Sequence, residues 1–175
     1  LGACVGPRSA PRAEPDLAAK LQALTAGFAG HVGLYVRHLQ TGETVAVRAD
    51  EVFPTASLIK LPILIRVLER VQMGELDYRA PLADLNGAAN KDAFADGAKI
   101  DVSKLCWLMI TFSDNTASLW LQELAGTGTA INAWLAAHNL VHTRVNSRTE
   151  GRETPKELFG WGQTTPREMA ELLVM

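Results

Sequence analysis

Two short segments carry side chains that could do chemistry together: Ser57-Leu58-Ile59-Lys60 and Ser113-Asp114-Asn115. A serine hydroxyl is a weak nucleophile until a base within hydrogen-bond reach takes its proton. If Phe53-Pro54-Thr55-Ala56 leads into a helix, Ser57 falls in its first turn. Lys60 then follows on the same face, because residues three apart on a helix are neighbours. The helix N-terminus brings free N–H groups and the positive end of a dipole, which favour the negative oxygen of a tetrahedral intermediate. A lysine in apolar or cationic surroundings loses pKa and becomes able to act as a base. Ser113 adds a second hydroxyl through which a proton can be relayed, completing the equipment of an acyl-transfer enzyme. Each triplet also has a purely structural reading. Ser57 can be a helix N-cap, and Ser-Asp-Asn a polar turn in which Asp114 or Asn115 caps the next helix.

The order and flanks of the two motifs resemble the class A serine β-lactamases and their penicillin-binding relatives, for which S-x-x-K and S-D-N are signatures. The resemblance runs from about His31 to the last residue. It includes Val32 to Val36 and Gly42 to Val47 as the first two strands, and Phe53 to Ile63 as the segment carrying the nucleophile. Leu105 to Ala117 resembles the segment around the second motif, and Gln163-Thr164-Thr165-Pro166 the start of the helix after the family's omega-shaped loop. The resemblance implies an α/β (α+β) fold, an antiparallel sheet packed with helices plus an all-helical subdomain. It implies Ser57 as the acylated nucleophile, Lys60 as its activator and Ser113 as the proton relay to the leaving nitrogen. Asn115 would bind the substrate's side-chain amide, and Asp114 would hold its loop in shape. The ligand implied is a small β-lactam or a cell-wall peptide, with no cofactor.

In the β-lactamases a loop glutamate activates the deacylating water and an asparagine four residues later helps hold it. Thr143 to Glu150 resembles the approach to that glutamate, so Glu150 is the candidate base and Arg148 a loop anchor. The position four on is Thr154, not Asn, and Glu153 competes for the role because Arg152-Glu153-Thr154-Pro155 also has the character of the motif. If neither carboxylate reaches the acyl ester, the expectation changes to a penicillin-binding D-Ala-D-Ala peptidase or β-lactam sensor trapped after acylation. A non-catalytic lipoprotein using the fold for binding is the third reading. No Lys-Thr-Gly triplet, the family's third signature, follows Pro166. The expectation is that the 175 residues form the front two-thirds of a longer protein, lacking its C-terminal strands.

Around these motifs the pattern predicts residues 1–15 as an export or tether segment and 16–175 as one catalytic domain, with an α/β part at 16–56 and a helical part at 57–175. Asp16 can cap a first helix with Leu17, Leu21, Leu24 and Phe28 on one face, packed on the sheet. Alternating apolar residues from Val32 to Val47 around Gln40-Thr41-Gly42 read as an antiparallel hairpin. Leu58 to Met73 reads as the nucleophile helix, with Gly74 as its stop and Pro62 tolerated in the first turn. Further helices are predicted from Asp101 to Thr111, Thr116 to Leu124 and Ala130 to Asn139. Gly126-Thr127-Gly128 acts as a connector, and Thr165-Pro166-Arg167-Glu168 as a capping box opening the last helix. Val141 to Thr164 has no periodicity and reads as a long functional loop. Phe94 is a candidate lining residue of the cleft.

Seventeen basic against nineteen acidic residues, a net charge of −2, form no basic block for a phosphate backbone, so nucleic acid is not an expected partner. The apolar runs Leu61 to Ile65 and Cys106 to Ile110 are too short to cross a bilayer. His138 and His142 lack a third ligand, so no metal is expected. Of two cysteines, Cys106 sits in an apolar run and reads as a buried, unreactive thiol. Leu1-Gly2-Ala3-Cys4 resembles a lipoprotein processing site, so Cys4 is a candidate lipid attachment point, with Pro7 to Pro15 as a flexible tether. The expectation is an exported monomer, in the bacterial periplasm or anchored to the cell envelope.

Overall fold

The computed structural model describes residues 17–79, 81–82 and 99–175. The tether at 1–15 with Cys4, the Asp16 cap and Phe94 lie outside the described residues.

Helix α1 (Leu17–Thr25) leans on a hairpin of β1 (Leu34–Arg37) and β2 (Thr44–Val47), paired antiparallel from Leu34 opposite Val47 to Arg37 opposite Thr44. Gly42 closes the hairpin at φ +75°, a left-handed conformation glycine reaches without steric cost. The α1 stripe is covered less than its pattern predicts: Leu24 is 80% exposed, and Phe28, expected on the same face, lies beyond the helix end at Thr25 and is 64% exposed. A two-stranded ribbon, with strands about 4.8 Å apart, is narrower than a helix with its side chains.

The rest of the chain wraps around α2 (Lys60–Gln72), whose Ile63 and Val67 are fully buried. Against it pack α3 (Val102–Thr111), α4 (Asn115–Leu124) and α5 (Thr127–Ala137), contributing Leu105, Met109, Leu121, Ile131 and Leu135 to one core. Asp101 caps α3 by accepting from Lys104 N–H at 2.7 Å. The short pair β4 (Pro81–Leu82) and β5 (Ile100–Asp101) precedes α3. Gly74 stops α2 at φ +75°. Pro62 falls at the third position of α2, where its missing N–H has no intrahelical partner to lose.

Three expectations are corrected. Ser57 is not in an α-helical turn: Ala56–Ile59 is a 3₁₀ turn, and the α-helix begins at Lys60. Helix α5 begins three residues earlier than Ala130, because Gly126 at φ +94° and Thr127 at φ +72° turn the chain and Gly128 continues the helix. The segment read as an uninterrupted loop contains β6 (Arg144–Val145), α6 (Glu153–Phe159) and β7 (Gly162–Thr164), elements of two, seven and three residues that are too short to show a period. Strand β7 lies between β6 and β3 (Phe53–Pro54) in an antiparallel sheet, so strands from both halves of the chain meet just before Ser57. The final helix α7 (Pro166–Leu172) starts with Thr165 Oγ1 accepting from Glu168 N–H at 3.1 Å.

Candidate active site

The approach to Ser57 is fixed by β7. Pro54 lies opposite Gln163, and Thr55 N–H donates to the Gly162 carbonyl at 3.0 Å. Ala56 then takes φ +44°, and the 3₁₀ turn follows, anchored by the fully buried Ile59. In a 3₁₀ turn residues three apart eclipse, which stacks Lys60 over Ser57. Ser57 N–H has no hydrogen-bond acceptor among the described residues, leaving a donor free at the reacting centre.

Ser113 arrives from the other side. After α3 the chain reverses through Ser113 at φ +56°, and Asp114 caps α4 by accepting from Ala117 N–H at 2.6 Å. This reversal carries Ser113 Oγ to 2.8 Å from Ser57 Oγ, across 56 residues of sequence. Lys60 Nζ donates to Ser113 Oγ and to Asn115 Oδ1, both at 2.9 Å, and to the Ser113 carbonyl. An ammonium has three donors, and these three acceptors take them all. The sequence predicts a direct Ser57–Lys60 contact. In the structure the link instead runs through Ser113.

The Asn115 orientation follows from the same contact, since an ammonium cannot accept a hydrogen bond and must face the amide oxygen. Its Nδ2 donors are left for another partner. Lys60 is 3% exposed, and this burial pushes its pKa below the ordinary lysine value, partly opposed by the negative charge of Asp114. A charged Lys60 donates to Ser113, which donates to Ser57. A neutral Lys60 accepts, and the freely rotating hydroxyls reverse, so that a proton leaving Ser57 passes through Ser113 to the amine.

Ser57 sits between two openings. A cavity of about 220 Å³ is lined by Ala56, Ser57, Lys60, Asn115 and Trp161. A wider groove of about 390 Å³ lies on the Ser113 side. Trp161 was not singled out in the sequence, where it is one aromatic in an aperiodic segment.

Glu150, Arg148 and Glu153 are not brought to Ser57. They line a separate cavity of about 360 Å³ with Asn146, Thr149 and Lys156. Arg148 is exposed at φ +46° and makes no side-chain hydrogen bond among the described residues. The tie expected of it is made by Arg152, whose Nε and Nη2 donate to the buried Asn146 Oδ1 at 3.0 and 2.8 Å, while Nη2 also donates to Gln163 Oε1 at 2.6 Å. Arg152 opens the alternative Arg-Glu-Thr-Pro motif, so a sequence signal for it existed. Three more ties hold the segment. Gln122 Nε2 donates to the Ser147 carbonyl at 2.6 Å, and Ser147 Oγ returns a bond to Gln122 Oε1 at 3.0 Å. The Asn132 amide brackets Val145, accepting from its N–H at 2.7 Å and donating to its carbonyl at 2.9 Å. Glu168, 6% exposed, accepts from His142 N–H at 2.9 Å, Thr143 N–H at 2.6 Å and Thr143 Oγ1 at 2.7 Å. Its carboxylate therefore pins the start of the segment instead of closing the capping box.

The second cysteine is chemically quiet. Burial pushes the Cys106 thiol up to about 11, so it stays protonated near neutral pH. Among the described residues no group of three His, Cys, Asp or Glu side chains could hold a metal ion.

The mixed helices and antiparallel strands form the β-lactamase/transpeptidase fold. An ancestral class A β-lactamase superimposes with a TM-score of 0.74 at 30% identity, covering 89% of this chain and 62% of that one. A mutant of PBP-A, seen as its acyl-enzyme complex with penicillin G, gives 0.75 at 26% identity over 91% of this chain and 60% of that one. The β-lactamase regulatory protein BlaB of Streptomyces cacaoi is 33% identical over 133 residues, 71% of this chain and 42% of that protein. The family model described as "Beta-lactamase enzyme family" matches residues 16–175, and the chain belongs to that family. It spans about two-fifths of the length of that curated relative.

Proposed function

We propose that the protein opens β-lactam rings by acylation of Ser57 and hydrolyses the resulting ester. The observation that carries this reading is the continuous run Ser57 Oγ, Ser113 Oγ, Lys60 Nζ, with steps of 2.8 and 2.9 Å. Ser57 attacks the lactam carbonyl and its Oγ–C bond forms. The C–N bond then breaks, and the proton that left Ser57 returns to the leaving nitrogen through Ser113. The free Ser57 N–H favours the developing oxyanion, and Asn115 Nδ2 suits the carbonyl of a substrate amide. Glu150 is the candidate water-activating base, Glu153 its competitor. The fold's relationship to class A β-lactamases supports the hydrolytic reading. An exported location, with a lipid on Cys4 as membrane tether, suits an enzyme acting on antibiotics or cell-wall peptides. A Cys4→Ser protein released from the membrane fraction would support that tether.

One observation favours a second reading, a penicillin-binding sensor or peptidase that deacylates slowly: Glu150 and Glu153 line the neighbouring cavity and not the one holding Ser57. Intact-mass analysis of the full-length protein with a chromogenic cephalosporin separates the readings. Turnover supports the hydrolase, and a stoichiometric long-lived adduct supports the sensor. No adduct and no turnover overturns both in favour of a binding module. Ser57→Ala is expected to abolish adduct and turnover, and Glu150→Ala to keep the adduct while stopping turnover.

A further inference from the structure

The cavity holding Ser57 is walled by separate parts of the chain. Ala56, Ser57 and Lys60 come from the 3₁₀ turn and the start of α2, and Asn115 from the start of α4. Trp161 alone comes from the segment that also carries Glu150 and Glu153. Its backbone is fixed on both sides. The Trp161 carbonyl accepts from Asn146 N–H at 2.9 Å and Ser147 N–H at 3.1 Å, while the next carbonyl, that of Gly162, accepts from Thr55 N–H at 3.0 Å. Asn146 lines the neighbouring cavity with Glu150 and Glu153. Trp161 therefore has its main chain bonded to a wall of the glutamates' cavity and its residue lining the cavity of Ser57.

We infer that Trp161 sets the lifetime of the Ser57 acyl-enzyme, by standing where the loop would otherwise present a proton acceptor to the ester. This role rests on the Ser57 acylation reading. To hydrolyse the ester, the oxygen of a water attacks the acyl carbonyl while one of its protons goes to a base. The Ser57 Oγ–C bond then breaks, and Oγ takes the proton that the base received. Glu150 and Glu153 offer carboxylates for that step. An indole cannot serve, because its nitrogen is a donor only. The ring also fills room that an attacking water needs. Trp161 thus parts the ester from both carboxylates. Acylation moves its proton through Ser113 and Lys60 and makes no use of the indole.

Benzylpenicillin is the probe, given as a pulse to the full-length protein, and intact mass follows first the gain and then the loss of the acyl group. Trp161→Ala is expected to shorten the adduct's lifetime by at least about ten-fold and to leave the acylation rate constant unchanged. Trp161→Phe keeps a ring in place and is expected to retain the wild-type lifetime. Adding Glu150→Ala and Glu153→Ala to Trp161→Ala is expected to restore it. Trp161 packs against the core, so Trp161→Leu, which keeps an apolar side chain there, carries the same expectation as alanine if that variant does not fold. An unchanged or longer lifetime, acylation and deacylation slowed together, or an acceleration that survives loss of both glutamates overturns the role of Trp161 alone. A wild-type protein that benzylpenicillin does not acylate overturns the Ser57 reading, and the role of Trp161 with it.

Discussion

A Cβ atom on Gly162 would stand 2.5 Å from Ile59 Cγ1 and 2.9 Å from the Arg144 carbonyl. The absence of a side chain at position 162 of β7 is what lets the Ala56–Ile59 turn lie flat against that strand. Ile59 is fully buried and sits between Ser57 and Lys60 in sequence. Gly162→Ala is expected to cost about 1–3 kcal/mol, the scale of overpacking a close-packed core, and to slow acylation by displacing Ser57. Thermal unfolding and the acylation rate, measured together, check it. Unchanged values for both would show that the strand and the turn are not in contact.

The pH dependence of acylation follows from Lys60. In the proposed acylation its neutral form is the base, and burial lowers its pKa, so the rate is expected to rise with pH and level off below the range of an ordinary lysine. Asp114 holds that pKa up. Asp114→Asn removes the charge and keeps a side chain able to cap α4, so the rising limb is expected to move toward acid. A limb that moves toward alkali would contradict the sign of this interaction.

Arg152 and Arg148 are expected to behave differently. Arg152→Ala strips the donors from Asn146, which is 1% exposed, at a cost of about 1–3 kcal/mol for a buried acceptor left unpaired. Arg148→Ala removes no hydrogen bond among the described residues and is expected to change stability by less than about 0.5 kcal/mol. Denaturant midpoints of the two variants decide between them, and the reverse ranking would restore Arg148 as the anchor.

Glu168→Gln replaces an acceptor oxygen with an amide nitrogen that would face the N–H groups of His142 and Thr143. The expected loss is about 2–3 kcal/mol, that of a hydrogen-bonded buried charge, read as a fall in the denaturant midpoint. A silent substitution would mean that the carboxylate is not needed to hold the segment.

The parts of this site that are legible in the sequence are the local ones. Ser57 and Lys60 declare themselves by a spacing of three, Asp101 and Thr165 by capping chemistry, and the hairpin by alternation around Gly42. What escapes the sequence depends on where distant segments meet. The pairing of Phe53 with Thr164 involves strands too short to have a period. The diversion of Glu168 from its helix cap to Thr143 depends on a partner 25 residues away. The saturation of Lys60 by Ser113 and Asn115 also escapes, because spacing within the first motif suggests a direct contact and says nothing of competitors.

Ser113 holds φ +56° without being a glycine, a conformation that costs an ordinary residue about 1–2 kcal/mol. The same reversal in a glycine would be free of that strain, so Ser113→Gly is expected to offset part of its lost hydrogen bonds, while cutting the hydroxyl bridge through which the proposed acylation runs. Stability and reactivity thus pull in opposite directions at one position. Screening this protein for heat resistance alone would tend to disarm it there.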